Sequence, residues 1–316
     1  MPLKQDKVSV LVETARLYYE YGLSQDQIAK KLGISRPGVS RLLKQGRDRG
    51  IIKIEIIDPY ERGTKIEIEL KNKFGLKQAV VVPHDGQDTH KIKERLGLAA
   101  VALLDSLVKT GSVVAVSWGT TMQAVTRKLR ARRIKNMVVV QLNGGISRAE
   151  YDTHASEITQ KIGENYQAAP YLLPLPAVVD SAHVKQTIIS DKNISRTLKL
   201  ARQADIAMFT IGSFGFNSVL VKADYFEQDE VDELLKRGAV GDICSRIIGF
   251  NGQLCSPELD ARTIGIELEE LKDKPYSIAV AGGKDKLKAI RAGLKGSWFN
   301  ILITDEFIAN ELLQTD

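Results

Sequence analysis

A chain of 316 residues, 43% hydrophobic and 27% charged, is long enough to bury a large core and, by length, to form two domains. No apolar run approaches the roughly 20 residues of a membrane span, no apolar leader opens the chain, and only Cys244 and Cys255 are present, which excludes a disulfide scaffold and fits a cytoplasmic protein. The net charge of +6 is uneven: residues 1–53 hold 11 Lys/Arg against 5 Asp/Glu, and 34 of each remain in 54–316, so a polyanionic partner is expected for the N-terminal segment alone.

In chain order, Val8, Leu11, Val12, Ala15 and Tyr19 recur at helical spacing and predict a first helix. A helical hairpin follows. Ser24 is placed to cap its first helix, with Gln27 completing a capping box, and Ile28, Ala29 and Leu32 form the apolar face. Gly33-Ile34 makes the turn, Ser35 caps the second helix, and Pro37 sits in its first turn, where a missing N–H costs little. Val39, Leu42 and Leu43 face inward, leaving Arg36, Ser40, Arg41, Lys44 and Arg47 outward. That is the pattern of a helix-turn-helix recognition helix. Ser24, Gln25, Ser35, Arg36, Pro37, Ser40, Arg41, Lys44 and Arg47 are the candidate DNA-binding residues, with Arg36, Ser40 and Arg41 reading bases and Lys44 meeting phosphate. Alternation over 51–56 predicts a small strand, a wing on this unit, and Asp58-Pro59 marks the boundary. The domains expected are 1–57 and 58–316.

Ile66, Ile68, Leu70 and Phe74 predict a connecting helix ending at Gly75. Strands are then expected at 79–82, 112–117, 137–142, 171–173, 206–211, 277–281 and 300–303, with helices at 90–109, 120–133, 155–165 and 284–293. Short Val/Ile runs alternating with amphipathic helices describe an α/β domain with a parallel sheet covered on both faces. A hairpin turn is expected at Phe250-Asn251-Gly252-Gln253.

Ligands of open α/β sheets bind outside the carboxyl ends of the strands. Gly119-Thr120-Thr121, opening a helix, suits phosphate, and Lys284 can neutralise it from the Gly282-Gly283 loop. Asn143-Gly144-Gly145, Gly212 and Asp242 complete the set, Asn143 and Asp242 being the groups for sugar hydroxyls. The effector expected is a phosphorylated small molecule, without cofactor or metal. No dinucleotide or nucleoside triphosphate fingerprint occurs, and His84, His90, His154 and His183 show no metal-ligand spacing with each other or with the cysteines.

The stretches TARLYYEYGLSQDQIAKKLGISRPGVSRLL, GSVVAVSWGTTM, VVQLNGGIS, AVGDICSR and IAVAGGKDK, in this order, resemble the sorbitol-operon-regulator (SorC) family of bacterial transcription factors, and most of all its deoxyribonucleoside-regulator branch. The resemblance implies a helix-turn-helix domain on double-stranded operator DNA, and an effector domain related to sugar-phosphate isomerases and deaminases. It also implies assembly as a homo-oligomer, dimer or tetramer, and control by a phosphorylated sugar. In that branch a Lys can precede Gly-Gly and form a Schiff base with an aldehyde sugar. Asn143 cannot, so reversible binding is expected. The expected function is a repressor of a carbohydrate or deoxyribonucleoside catabolic operon. The alternative is an isomerase- or deaminase-like enzyme carrying a DNA-binding module, with Asp242 as general base.

Overall fold

A computed structural model describes residues 5–52, 64–84, 86, 88–147 and 152–314, residues 5–7 by backbone alone. The chain divides into two compact units, 1–62 and 63–316. The boundary at Asp58-Pro59 and most of the predicted wing, 53–56, lie outside the described residues. Ile51 and Ile52 form no strand; their N–H groups both bond the Gly46 carbonyl and close the preceding helix.

The N-terminal unit holds α1 (Gln5–Tyr19), α2 (Gln25–Leu32) and α3 (Arg36–Asp48). The capping box of Ser24 and Gln27 forms as expected, Gly33 ends α2 in the left-handed conformation (φ 65°), and Ser35 accepts the Gly38 N–H. The inward face of α1 differs from the predicted one. Leu11, Thr14 and Leu17 are buried, whereas Tyr19 is exposed and stands edge-on to Tyr18. Leu17 packs with Ile28, Val39 and Leu43 as the core of three helices. Gly46 gives the tight approach its room: a Cβ there would stand 2.4 Å from Ile52 and 3.1 Å from Leu11.

The larger unit is built on seven parallel strands: β1 (Gln78–Val82), β2 (Val113–Val116), β3 (Val138–Gln141), β4 (Ala169–Tyr171), β5 (Ile206–Phe209), then β9 (Tyr276–Val280) and β10 (Ile301–Asp305). All lie where expected except β4, which meets the expected 171–173 only at Tyr171. Between β5 and β9 the chain adds β6 (Ile211–Ser213), β7 (Ala239–Ile243) and β8 (Arg246–Gly249). The sheet order is β1-β10-β9-β5-β2-β3-β4. Successive residues enter two separate cores, Val114 and Val116 on one face and Ala115 on the other, as a doubly covered sheet requires. From β2 the chain runs towards β3 and from the adjacent β5 towards β9, in opposite directions along the sheet. The crevice between β2 and β5 is therefore the topological switch point.

α4 (Lys65–Phe74) ends at Gly75 as predicted, and α5 (Thr89–Leu107) spans the predicted second helix of this unit. α6 (Thr120–Thr126) is half the predicted length, and α7 (Ala155–Tyr166) agrees within a residue. The predicted strand 206–211 is broken at Thr210. Its second half, β6, joins an antiparallel three-stranded sheet with β7 and β8. Asp242, expected beyond a strand end, lies within the strand β7. The 250–253 turn falls where predicted, after β8.

Candidate functional site

A cavity of about 480 Å³ opens at the carboxyl ends of β1, β2, β5 and β9. Of the expected effector residues, Gly119, Thr120, Thr121, Gly212, Asp242 and Lys284 line it. Gly119 (φ 119°) turns the chain from β2 into α6 in a left-handed region that favours glycine, presenting Thr120 and Thr121. With only seven residues in α6, a helix dipole contributes little, and the positive charge comes from side chains that the sequence reading did not single out.

Lys93 of α5 donates to Thr120 Oγ1 at 3.0 Å. Gly97, one turn on, lets α5 approach α6 closely: a Cβ there would stand 2.7 Å from the Ala124 carbonyl oxygen. Lys286 donates to Thr210 Oγ1 at 3.1 Å and lies 3.5 Å from Thr121 Oγ1. Lys284, the expected cation, sits at the rim, exposed, with Nζ 5.0 Å from the Phe307 ring centre. In Gly-Gly-Lys-Asp-Lys, the short 3-10 turn Lys284–Lys286 directs the second lysine to the threonines.

The two ammonium groups oppose each other. Burial, with Lys93 nearby, pulls the Lys286 pKa down to about 8, while Asp242 acts in the other direction. Burial also lowers Lys93. Asp242 is pushed up to about 6, because burial outweighs the attraction of Lys286 and the N–H of Ser245. An arrangement of two partly desolvated cations, three hydroxyls and one carboxylate favours a dianion at the lysines and a hydroxyl donor at Asp242.

Asn143, Gly144 and Gly145 do not line the cavity, contrary to expectation. Asn143 is buried and donates to Ser245 Oγ at 2.8 Å. The N–H groups of Gly144 and Gly145 bond the carbonyls of Ile264 and Leu175. A Cβ on Gly144 would stand 2.2 Å from the Pro176 carbonyl oxygen, so these glycines admit a crossing segment rather than a ligand.

One histidine does reach the cavity. His84 follows β1, and its Nδ1 lies 3.0 Å from the fully buried Asp305, whose other oxygen accepts the Gly283 N–H at 2.7 Å. Pro83-His84, directly after β1, carries neither glycine nor hydroxyl, so nothing in the sequence marks this strand end as a ligand site. Elsewhere, His154 stands between Asp152 and Glu157, a grouping that the spacing alone did not show. Lys161 pairs with the same Glu157, so the carboxylate is already balanced. Cys244 is buried and Cys255 half-buried, and burial raises both thiols.

On α3, Arg36, Pro37, Ser40, Arg41, Lys44 and Arg47 are all exposed, as are Ser24 and Ser35; Gln25 is half-buried. Arg36 pairs with Asp26 at 3.6 Å, with both side chains about two-thirds exposed, a contact weak enough to be exchanged. Arg41 Nε donates to the Pro37 carbonyl at 3.3 Å. Among the described residues no helix is long and apolar enough to cross a membrane.

Comparison with known proteins places these features together. Residues 58–314 match the family described as "Putative sugar-binding domain", and residues 16–49 match sigma-70 region 4. The chain is 40% identical to the deoxyribonucleoside regulator of Bacillus subtilis (strain 168) and 32% identical to the sorbitol operon regulator of Klebsiella pneumoniae. In each case the match covers 98% of this chain and 99% of the relative. The crystal structure of the full-length sorbitol operon regulator SorC from K. pneumoniae superposes with a TM-score of 0.72 at 30% identity, covering 98% of this chain and all of that one. These relatives are regulators rather than enzymes. With its helix-turn-helix region and its sugar-binding α/β domain, the chain belongs to the SorC-type family of sugar-binding transcriptional regulators.

Proposed function

We propose that this regulator represses a carbohydrate or deoxyribonucleoside operon, and that a phosphorylated sugar in the β2/β5 cavity alters its operator affinity. The observation that carries the reading is the convergence of Lys93 and Lys286 on the hydroxyls of Thr120, Thr121 and Thr210, with Asp242 on the same cavity wall. A phosphate dianion relieves the repulsion between the lysines, and the hydroxyls complete its shell. Asp242 accepts a sugar hydroxyl, with Gly212 leaving room for its carboxylate and Gly119 turning the chain at the cavity. Lys284 contributes at the mouth. Asn143 carries an amide and no amine, so it forms no imine with an aldehyde sugar, and binding is reversible.

In this reading the protein acts in the cytoplasm as a homo-oligomer. Paired protomers set their α3 helices in successive major grooves of double-stranded operator DNA. Arg36, Ser40 and Arg41 read base edges. Lys44 and Arg47, with Ser24, Gln25, Ser35 and Pro37 at the helix starts, meet the phosphate backbone. The effector shifts operator affinity by the difference in its own affinity for the two protomer arrangements.

A thermal-shift screen of phosphorylated sugars beside their unphosphorylated forms tests the effector. A stabilising phosphosugar that also changes operator binding is the expected result. Equal stabilisation by the unphosphorylated form, or none by any phosphosugar, would overturn it.

A further inference from the structure

Asp242 is held from behind the cavity by residues that do not line it. The hairpin between β7 and β8 closes through two residues, Cys244 and Ser245, because Ile243 already pairs with Arg246. Both lie at positive φ, 51° and 68°, where hairpins ordinarily place Asn and Gly. Neither is of that kind, so the turn carries backbone strain, and such strain persists only where surrounding contacts enforce it.

Those contacts are specific. Ser245 donates its N–H to Asp242 Oδ2 at 3.3 Å. Its hydroxyl accepts from Asn143 Nδ2 at 2.8 Å. Asn143 and Ser245 are each 1% exposed, and Asn143 Oδ1 has no hydrogen-bond partner among the described residues. The Asn143 side chain is thus committed to Ser245, at the expense of its own oxygen. Asn143 is in turn fixed by its bridge to Gly265, whose carbonyl accepts from the buried Arg246 at 3.3 Å.

Resting on the proposed effector site, we infer that Ser245 and Asn143 are positioning residues, which hold the β7–β8 turn so that its N–H fixes the Asp242 carboxylate against the sugar. The ionisable groups that sense this carboxylate are Lys286 and the neighbouring Cys244 thiol. The Ser245 N–H favours the ionised carboxylate, so loosening the turn makes Asp242 harder to ionise.

The test measures affinities for deoxyribose 5-phosphate, ribose 5-phosphate and inorganic phosphate between pH 5 and 9, in the full chain and in Ser245→Ala, Asn143→Ala and Asp242→Asn. Ser245→Ala retains the N–H and the left-handed backbone and removes only the hydroxyl, so the strained turn loses the contact that enforces it. Ser245→Ala and Asn143→Ala are expected to weaken the sugar phosphates about five- to tenfold, with inorganic phosphate changed less than about twofold. Both should move the midpoint near pH 6 upward, a displacement that loss of stability alone does not produce. Wild-type affinity ratios and midpoint in both variants would overturn the inference while leaving the site intact. A wild-type ratio in Asp242→Asn, or no binding of either sugar phosphate, would instead overturn the effector site itself, and the inference with it.

Discussion

Asp242 and Gly212 face each other across the antiparallel pair of β7 and β6, and the Asp242 carboxylate fills the space that a side chain at 212 would occupy. A Cβ built on Gly212 stands 1.9 Å from Asp242 Oδ1, far inside contact distance. The glycine is there for the carboxylate. Gly212→Ala must therefore turn Asp242 away from its place in the cavity. Loss of one charge-assisted hydrogen bond costs about 1.5–3 kcal/mol, so sugar-phosphate affinity should fall about tenfold or more by calorimetry, with operator binding of the effector-free protein unchanged. Unchanged effector affinity would show that Asp242 does not touch the ligand.

The Lys93–Thr120 contact depends on how closely α5 approaches α6. Gly97 faces the Ala124 carbonyl, a backbone atom that cannot swing aside, so Gly97→Ala must push the helices apart. Overpacking of this kind costs about 1–3 kcal/mol of stability. The displacement carries Lys93 away from the cavity. The variant should lower the melting temperature and weaken inorganic phosphate as well as sugar phosphates, unlike Gly212→Ala, which spares inorganic phosphate. Calorimetry with both ligands separates the two effects.

The parallel sheet was legible because most of its strands are short apolar runs, such as Val113–Val116 and Ile301–Asp305; β4, the half-exposed Ala169–Tyr171 at the sheet edge, lacks that pattern. The antiparallel sheet was not. Glycines that make room for Asp242 and Ala289 occupy β6 and β7, and in sequence they resemble loop glycines. Asn143-Gly144-Gly145 misled for a related reason. It follows a strand as a ligand loop does, but the segment that crosses it at 175–176 has no periodic signal. Lys93 stands early in the second turn of a long helix, and nothing local distinguishes it from Lys91. The choice of Lys286 over Lys284 depends on the handedness of one short turn.

On α3, Arg41 and Lys44 are one turn apart and both exposed, yet they should behave differently. An arginine paired with a base edge contributes about 1–3 kcal/mol of discrimination at one position, whereas a lysine on phosphate contributes to every sequence. Arg41→Ala should lower affinity for the operator and leave non-specific DNA nearly unaffected. Lys44→Ala should weaken both and reduce the salt slope by about 1. Fluorescence anisotropy against operator and scrambled duplexes over a salt series reads both quantities. Identical behaviour of the two variants would contradict the assignment.

Arg246 is fully buried and pairs with Asp260 and Glu267 while donating to the carbonyls of Gly265 and Ile266. Removing the guanidinium strips the Gly265 and Ile266 carbonyls and the Asp260 carboxylate of a partner. Glu267 is partly exposed and keeps Lys185, so the cost falls at the low end of a buried pair, about 3 kcal/mol. Arg246→Ala should unfold at markedly lower denaturant concentration than Lys161→Ala, which removes a surface pair from α7. Similar midpoints for the two would mean that the Arg246 network contributes little.

The cavity charges give stability and ligand binding opposite responses to pH. Lys286 has a folded pKa of about 8, below its ordinary 10.5, so between these values the unfolded chain binds more protons and stability rises with pH. Asp242, at about 6 instead of 3.8, binds more protons when folded, so its contribution is present below about pH 4 and lost as pH rises through 6. From these two groups, the effector-free protein is least favoured between about pH 6 and 8. The sugar-phosphate ligand needs Lys286 charged and Asp242 ionised, so its affinity should hold between about pH 6 and 8 and fall on either side, with proton uptake on binding near pH 8. Lys286→Met should raise the melting temperature at pH 7, abolish the rise of stability above pH 8, and weaken sugar phosphates at least tenfold. Melting curves and calorimetry in two buffers of different ionisation enthalpy measure all three. A Lys286→Met variant less stable than the parent at pH 7, with unaltered affinity, would mean that the ammonium is paired within the fold and not held ready for an anion.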